Sequence, residues 1–190
     1  MRKTVCAVLA LCLFACSRAD LPRAPRYEDA QALHQQIPVG DDEFDLTVEQ
    51  FTHAFNAVAK ACHQPYRIGT VELLHNALGD DYFRQSFSND VSLTVTVSRD
   101  TGRITSIRTL ASGKNGTPDR DTMFAIAEVI VLITTPRMTQ EKAARMIADM
   151  LDESLNTGAT RRPPQRYFEH ARYLLRYDDG SDYRWIASPK

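Results

Sequence analysis

Val91-Ser92-Leu93-Thr94-Val95-Thr96-Val97-Ser98 alternates apolar and hydroxyl side chains without interruption. A period of two predicts a strand with one face buried and the other wet. Arg99-Asp100-Thr101-Gly102 then supplies a glycine turn, and Arg103 to Leu110 returns, so the stretch predicts an antiparallel hairpin. The stripe of Ser92, Thr94, Thr96 and Ser98 reads as its solvated side, with a ligand-facing stripe as the alternative.

Toward the N-terminus, Tyr82 to Phe87 and Tyr66 to Leu73 predict two more strands, separated by a turn at Leu78-Gly79-Asp80-Asp81. A well-signalled helix precedes them. Thr47 and Gln50 have capping-box spacing, Leu46 and Phe51 stand at the two positions of a hydrophobic staple, and Val48, Phe51, Phe55, Val58 and Cys62 share one face. That face should seal against a sheet. Asp41-Asp42-Glu43 and Asp45 form an acidic run just before the helix, which reads as a solvated face.

Toward the C-terminus, Ala111 to Pro118 is a loop by composition. Its Gly113-Lys114 lacks the first glycine and the spacing of a phosphate-binding loop. Met123 to Ile133 is apolar on nearly every side, as expected of a helix with sheet on one side and a helix on the other, although its β-branched run also fits a strand. Glu128 interrupts it. Such a carboxylate sits at the helix's one exposed edge or, if buried, marks a functional site. Thr139 can cap a further helix from Gln140 to about Leu155, with Ala143, Ile147, Met150, Leu151 and Ser154 on one face and Gly158 beyond its end. After the Pro163-Pro164 connector, Tyr167 to Tyr177 predicts one long strand, turned by Asp178-Asp179-Gly180-Ser181 into Tyr183 to Ala187. The expected fold is therefore α+β: an antiparallel sheet of about six strands with an N-terminal helix and a helical hairpin packed on one face.

Chemistry-bearing patterns are few. The five histidines, 34, 53, 63, 75 and 170, show no zinc-ligand spacing, so neither a metal nor a cofactor is expected. No G-x-S-x-G elbow is present, and Cys62 lies on an apolar helical stripe rather than at an activating terminus. With 24 acidic residues, a pair of carboxylates spaced for glycoside cleavage cannot be picked out by position. No catalytic residue is therefore assigned.

The chain begins with Arg2-Lys3, continues through an apolar run from Thr4 to Ala15 and reaches Cys16 directly after a small residue. Basic start, short apolar stretch and small-residue site are the layout of a secretory signal, and the run is shorter than the roughly 20 apolar residues a membrane span needs. Leu13-Phe14-Ala15-Cys16 resembles the lipobox of bacterial lipoproteins. The resemblance covers only these first 16 residues. It implies a diacylglyceryl thioether on Cys16, cleavage before it, acylation of the new amino group and, with Ser17 following, sorting to the outer membrane. An ordinary cleaved signal ending in Ala-Cys is the alternative.

On this reading residues 1–15 are the signal peptide, 16–40 the lipidated cysteine and tether, and 41–190 a single periplasmic domain. The tether carries Pro22, Pro25, Pro38 and Gly40. Loss of residues 1–15 removes two basic and no acidic residues from 23 and 24, leaving 21 against 24 and a net charge of −3. No clustered basic tract points to nucleic acid or to anionic lipid, so membrane attachment would rest on the acyl chains. Cys6 and Cys12 leave with the signal and Cys16 is alkylated, so Cys62 has no partner for an intramolecular disulfide.

The C-terminal hairpin offers the best partner surface. Tyr167, Tyr173, Tyr177, Tyr183 and Trp185 interleave with Arg166, Arg172, Arg176 and Arg184. These are the residue types that dominate protein interfaces. Tyr167, Arg172, Tyr173, Arg176, Tyr183 and Trp185 are the partner-binding candidates, and a half-buried edge hairpin with solvated arginines is the alternative. The expected role is a non-enzymatic, lipid-anchored module that binds a protein of the envelope, either an assembly accessory or an immunity protein against a toxin. A binder of a small ligand or cell-wall fragment is the second reading, and a hydrolase using Glu128 or a histidine is the third.

Overall fold

A computed structural model describes residues 42–77, 79–113, 118–157, 162–178 and 182–190. The lipobox and the tether lie outside these residues. Three helices and six strands follow in the order α1 (Val48–Ala61), β1 (Asp81–Ser86), β2 (Val91–Val97), β3 (Ile104–Ser112), α2 (Arg120–Thr134), α3 (Gln140–Thr157), β4 (Gln165–Phe168), β5 (Ala171–Asp178) and β6 (Asp182–Pro189). The strands form one sheet in the order β1-β2-β3-β6-β5-β4, every neighbouring pair antiparallel. This is the expected α+β class.

The apolar half of the opening stretch behaves as its alternation predicts, whereas Ser92 and Ser98 of the hydroxyl stripe are buried rather than solvated. Val91, Leu93, Val95 and Val97 are buried, and Gly102 takes φ +71°, the left-handed conformation that the turn requires. One bulge interrupts the β2–β3 ladder, where Thr96 opposes Ser106 and Val97 opposes Ile104, leaving Thr105 unpaired.

Helix α1 starts as its sequence predicts. The Thr47 hydroxyl accepts from the Gln50 amide at 3.3 Å, and Gln50 Oε1 accepts from the Thr47 amide at 2.9 Å. The staple residues Leu46 and Phe51 are both buried. At the other end His63 takes φ 56°, and the amides of His63 and Gln64 bond back to the carbonyls of Lys60 and Ala59. That is a Schellman closure with a histidine where glycine is usual, so the helix is capped there.

Helix α2 is capped by Asp119, whose side chain accepts from the Thr122 amide, and it buries seven apolar side chains, including Met123, Ile126 and Ile130. It lies over β3 and β6, with α1 and α3 on its flanks, and α3 covers β5. That position accounts for its apolar circumference and rules out a strand there. Helix α1 leans on α2 and reaches the sheet through aromatic rings, Phe51 on Phe83 and Phe55 stacked on Phe87.

Two strand assignments differ from expectation, and together they leave the number of strands unchanged. Tyr66 to Leu73 is not a strand. The Asn56 side chain donates to the Ile68 carbonyl and accepts from its amide, both at 2.9 Å, so a helix side chain takes the backbone pairing a neighbouring strand would supply. Just beyond it, an isolated bridge from Leu74 to Tyr82 and the His75–Asp81 contact tie the chain to β1.

The expected long strand from Tyr167 to Tyr177 is instead a hairpin. It folds back at Glu169-His170, with Phe168 opposite Ala171 and Glu169 at φ 48°. Glutamate seldom adopts that conformation, so no residue type announces the turn. The acidic run is also tied down rather than solvated throughout. Asp45 pairs with the buried Arg103, and Glu43 accepts from the Thr101 hydroxyl at 2.7 Å.

Candidate functional site

The pleat of β5 and β6 sorts the interleaved aromatics and arginines onto opposite faces. Tyr173, Tyr183 and Trp185 point toward the helices and are buried, so in the folded chain their contacts are internal. Tyr173 and Trp185 stack with centroids 5.7 Å apart, and Tyr183 stacks on Tyr177 at 4.6 Å. Thr134 donates to the Ile130 carbonyl, so its oxygen accepts from the Tyr173 hydroxyl at 2.7 Å. Tyr173 in turn accepts from Thr135 at 2.6 Å. Burial pushes the Tyr173 phenol above its ordinary pKa.

Tyr167, Arg172 and Arg176, the other three candidates, are exposed, and Tyr167 retains 51% of its surface. Arg166 turns to the helix side, where it pairs with Glu153 of α3 at 2.8 Å.

The arginines join others on the helix-free face of the sheet, from strands far apart in sequence. One row runs across all six strands as Arg84, Thr94, Arg108, Ile186, Leu174 and Gln165. On one side of it Leu110 opposes Arg184, which opposes Arg176. On the other, Ser188 and Tyr167 flank Arg172. These positions include five arginines, and the same face carries Asp182, opposite Ser112 and two positions before Arg184. Arginines therefore outnumber carboxylates there, on a chain whose formal net charge is −1.

Neutral hydroxyls hold two of the guanidinium groups. Arg84 donates to Ser92 Oγ and Arg172 to Ser188 Oγ, each at 3.1 Å. Among the described residues no ion pair involves Arg84, Arg108 or Arg172. Sequence reasoning missed Arg84 and Arg108, because only the strand order places them beside the C-terminal hairpin. Their signal lay in the stripe of Ser92 and Thr94, which marks the same wet face. Ser92 itself is buried beneath Arg84.

Two other titratable clusters bear on chemistry. Asp81 accepts from Arg99 Nε at 2.7 Å and lies 2.8 Å from His75 Nδ1, while Arg99 also donates to the Asn76 carbonyl. The Arg99 hydrogen bond holds the Asp81 carboxyl below the usual carboxylate range, opposed by burial and aided by His75. With its ring 82% exposed, His75 sits on the surface of a clamp that pins residues 74–76 to the start of β1 and the β2–β3 turn.

Glu128 is half-buried, and its Oε1 atom lies out of solvent without a hydrogen-bond partner. It faces the region of Cys62. Burial chiefly, and then the Glu128 charge, raises the Cys62 pKa, which keeps it a thiol rather than the thiolate that reacts.

Among the described residues no group of three or more His, Cys, Asp or Glu side chains could hold a metal ion, and no helix is long and apolar enough to cross a membrane. The chain matches no protein-family model, no curated protein and no solved structure.

Proposed function

We propose that this chain is a lipid-anchored protein-binding module of the bacterial envelope, attached to the outer membrane through Cys16 and presenting the open sheet face to another protein on the periplasmic side. The observation that carries the binding role is the arginine face, an exposed surface on which Arg84, Arg108 and Arg172 form no ion pair among the described residues. The lipobox resemblance supports the location, since several acyl chains anchor firmly where one is marginal. Tethering confines a binder to the surface where its partner arrives and raises its effective concentration there. Assembly accessory and toxin-immunity protein are the two roles that fit such a binder.

Two measurements test the proposal. Radiolabelled palmitate should enter the wild type and not Cys16→Ala, and the variant should leave the outer-membrane fraction. A photo-crosslinking residue at Leu110, central on the open face, should give a discrete protein adduct in cells, whereas one at Lys142 on α3 should give none. Equal fractionation of the two forms removes the anchoring, and equal crosslinking at the two positions removes the binding face.

A further inference from the structure

We propose that the open sheet face takes an acidic polypeptide surface, with carboxylates on the partner received by Arg84, Arg108 and Arg172 around an aliphatic centre. The inference deepens the binding role above and depends on it for its biological setting. Three observations select this ligand chemistry.

The first is charge. The three guanidinium groups are exposed and form no ion pair among the described residues, so they are open to an anion from outside. A guanidinium fork matches a carboxylate bidentately.

The second is pre-positioning. Arg84 and Arg172 are oriented by serine hydroxyls at 3.1 Å, which steer a side chain without cancelling its charge. That arrangement lowers the rotamer entropy lost on binding.

The third is the apolar centre. Leu110, Leu174 and Ile186 are half-buried on the same face, Ile186 directly opposite both Arg108 and Leu174. An apolar middle with a charged surround is the anatomy of a protein interface. A polyphosphate or a layer of lipid headgroups would leave that middle without a partner.

Size sets the expected strength. Six strands at about 4.8 Å spacing and about six residues along each give a face of roughly 500 Å² in projection. A standard interface buries about 800 Å² per partner, so association here should be transient and electrostatically steered.

The test uses the chain beginning at Ser17, which contains every described residue, and a fluorescent random copolymer of glutamate and tyrosine as the acidic polypeptide. Anisotropy should report saturable binding that weakens with added salt. The triple variant Arg84→Ser, Arg108→Ser, Arg172→Ser should bind at least about ten-fold more weakly, the equivalent of about 1.4 kcal/mol. Arg145→Ser on α3 should bind as the wild type does, and thermal melts confirm that each variant folds. Undiminished binding by the triple variant, or no binding by the wild type, overturns the inference. So does tighter binding of polyphosphate or of phosphatidylglycerol vesicles than of the copolymer, since the face would then read phosphate. None of these results depends on lipidation, so a failure here is distinct from a failure of the anchoring.

Discussion

Arg172 and Tyr173 are adjacent in sequence, yet the arginine stands in solvent while the tyrosine is fully buried with its hydroxyl bonded to two threonines. The same division runs through the sheet. One face, sealed by α2 and α3, holds Phe83, Leu93, Ile107, Trp185 and Leu175, and the other holds arginines, hydroxyls and three half-buried aliphatics. A strand's side chains alternate between faces, so one stretch can supply stability and a charged surface together. The comparison teaches that the C-terminal aromatics and arginines are two systems. Substitutions on the helix face should alter folding, and those on the open face should alter association.

The largest expected effect is at Trp185. Trp185→Ala should cost about 3–5 kcal/mol by chemical denaturation, since it empties a fully buried site in the centre of the sheet. A loss under about 1 kcal/mol would break the division between faces. Tyr173→Phe should cost about 1–3 kcal/mol, because Thr134 and Thr135 lose their common partner.

Tyr173 also makes an alkaline prediction. Its folded-state pKa is raised, so its contribution is fully present below the unfolded value of about 10 and is lost as pH rises through the folded one. Melting temperatures measured from pH 8 to 12 should fall less steeply in Tyr173→Phe.

Thr109 and Trp185 oppose one another on the buried face, and neither Thr109 Oγ1 nor Trp185 Nε1 has a hydrogen-bond partner. Thr109→Val removes one unpaired polar atom at nearly constant volume. It should leave stability unchanged or raise it by up to about 1 kcal/mol, and a clear loss would show that the hydroxyl is satisfied.

At the sheet's rim the Asp81 clamp should act in acid. Its folded pKa is lowered, so its stabilisation is present above the unfolded value of about 3.9 and disappears as pH falls through the folded one. Asp81→Asn should flatten the acid limb of the melting curve. The smallest effect belongs to the open face, where Arg108→Ser should shift stability by no more than about 0.5 kcal/mol while weakening binding of the acidic copolymer.

Much of the architecture was legible in the chain because it rests on local rules. Alternation in 91–98, the Thr47 capping box and the all-round apolar run before Pro136 each dictate an element before any tertiary contact forms. The misreadings fall where a distant side chain or an unannounced conformation decides. Asn56 substitutes for a strand against Ile68, and Glu169 turns the chain in a conformation its residue type does not advertise.

The sequence by itself determined which residues alternate, where helices begin and that the C-terminal hairpin mixes aromatics with arginines, because each depends on neighbours a few positions apart. Only the tertiary structure decided which of those residues meet solvent and which others join them. Pairing β3 with β6 carries Arg84 and Arg108 to the face that holds Arg172, from segments separated by some sixty residues or more. That juxtaposition follows from burying one face of the sheet beneath α2 and α3, a demand of the whole core that no local stretch encodes.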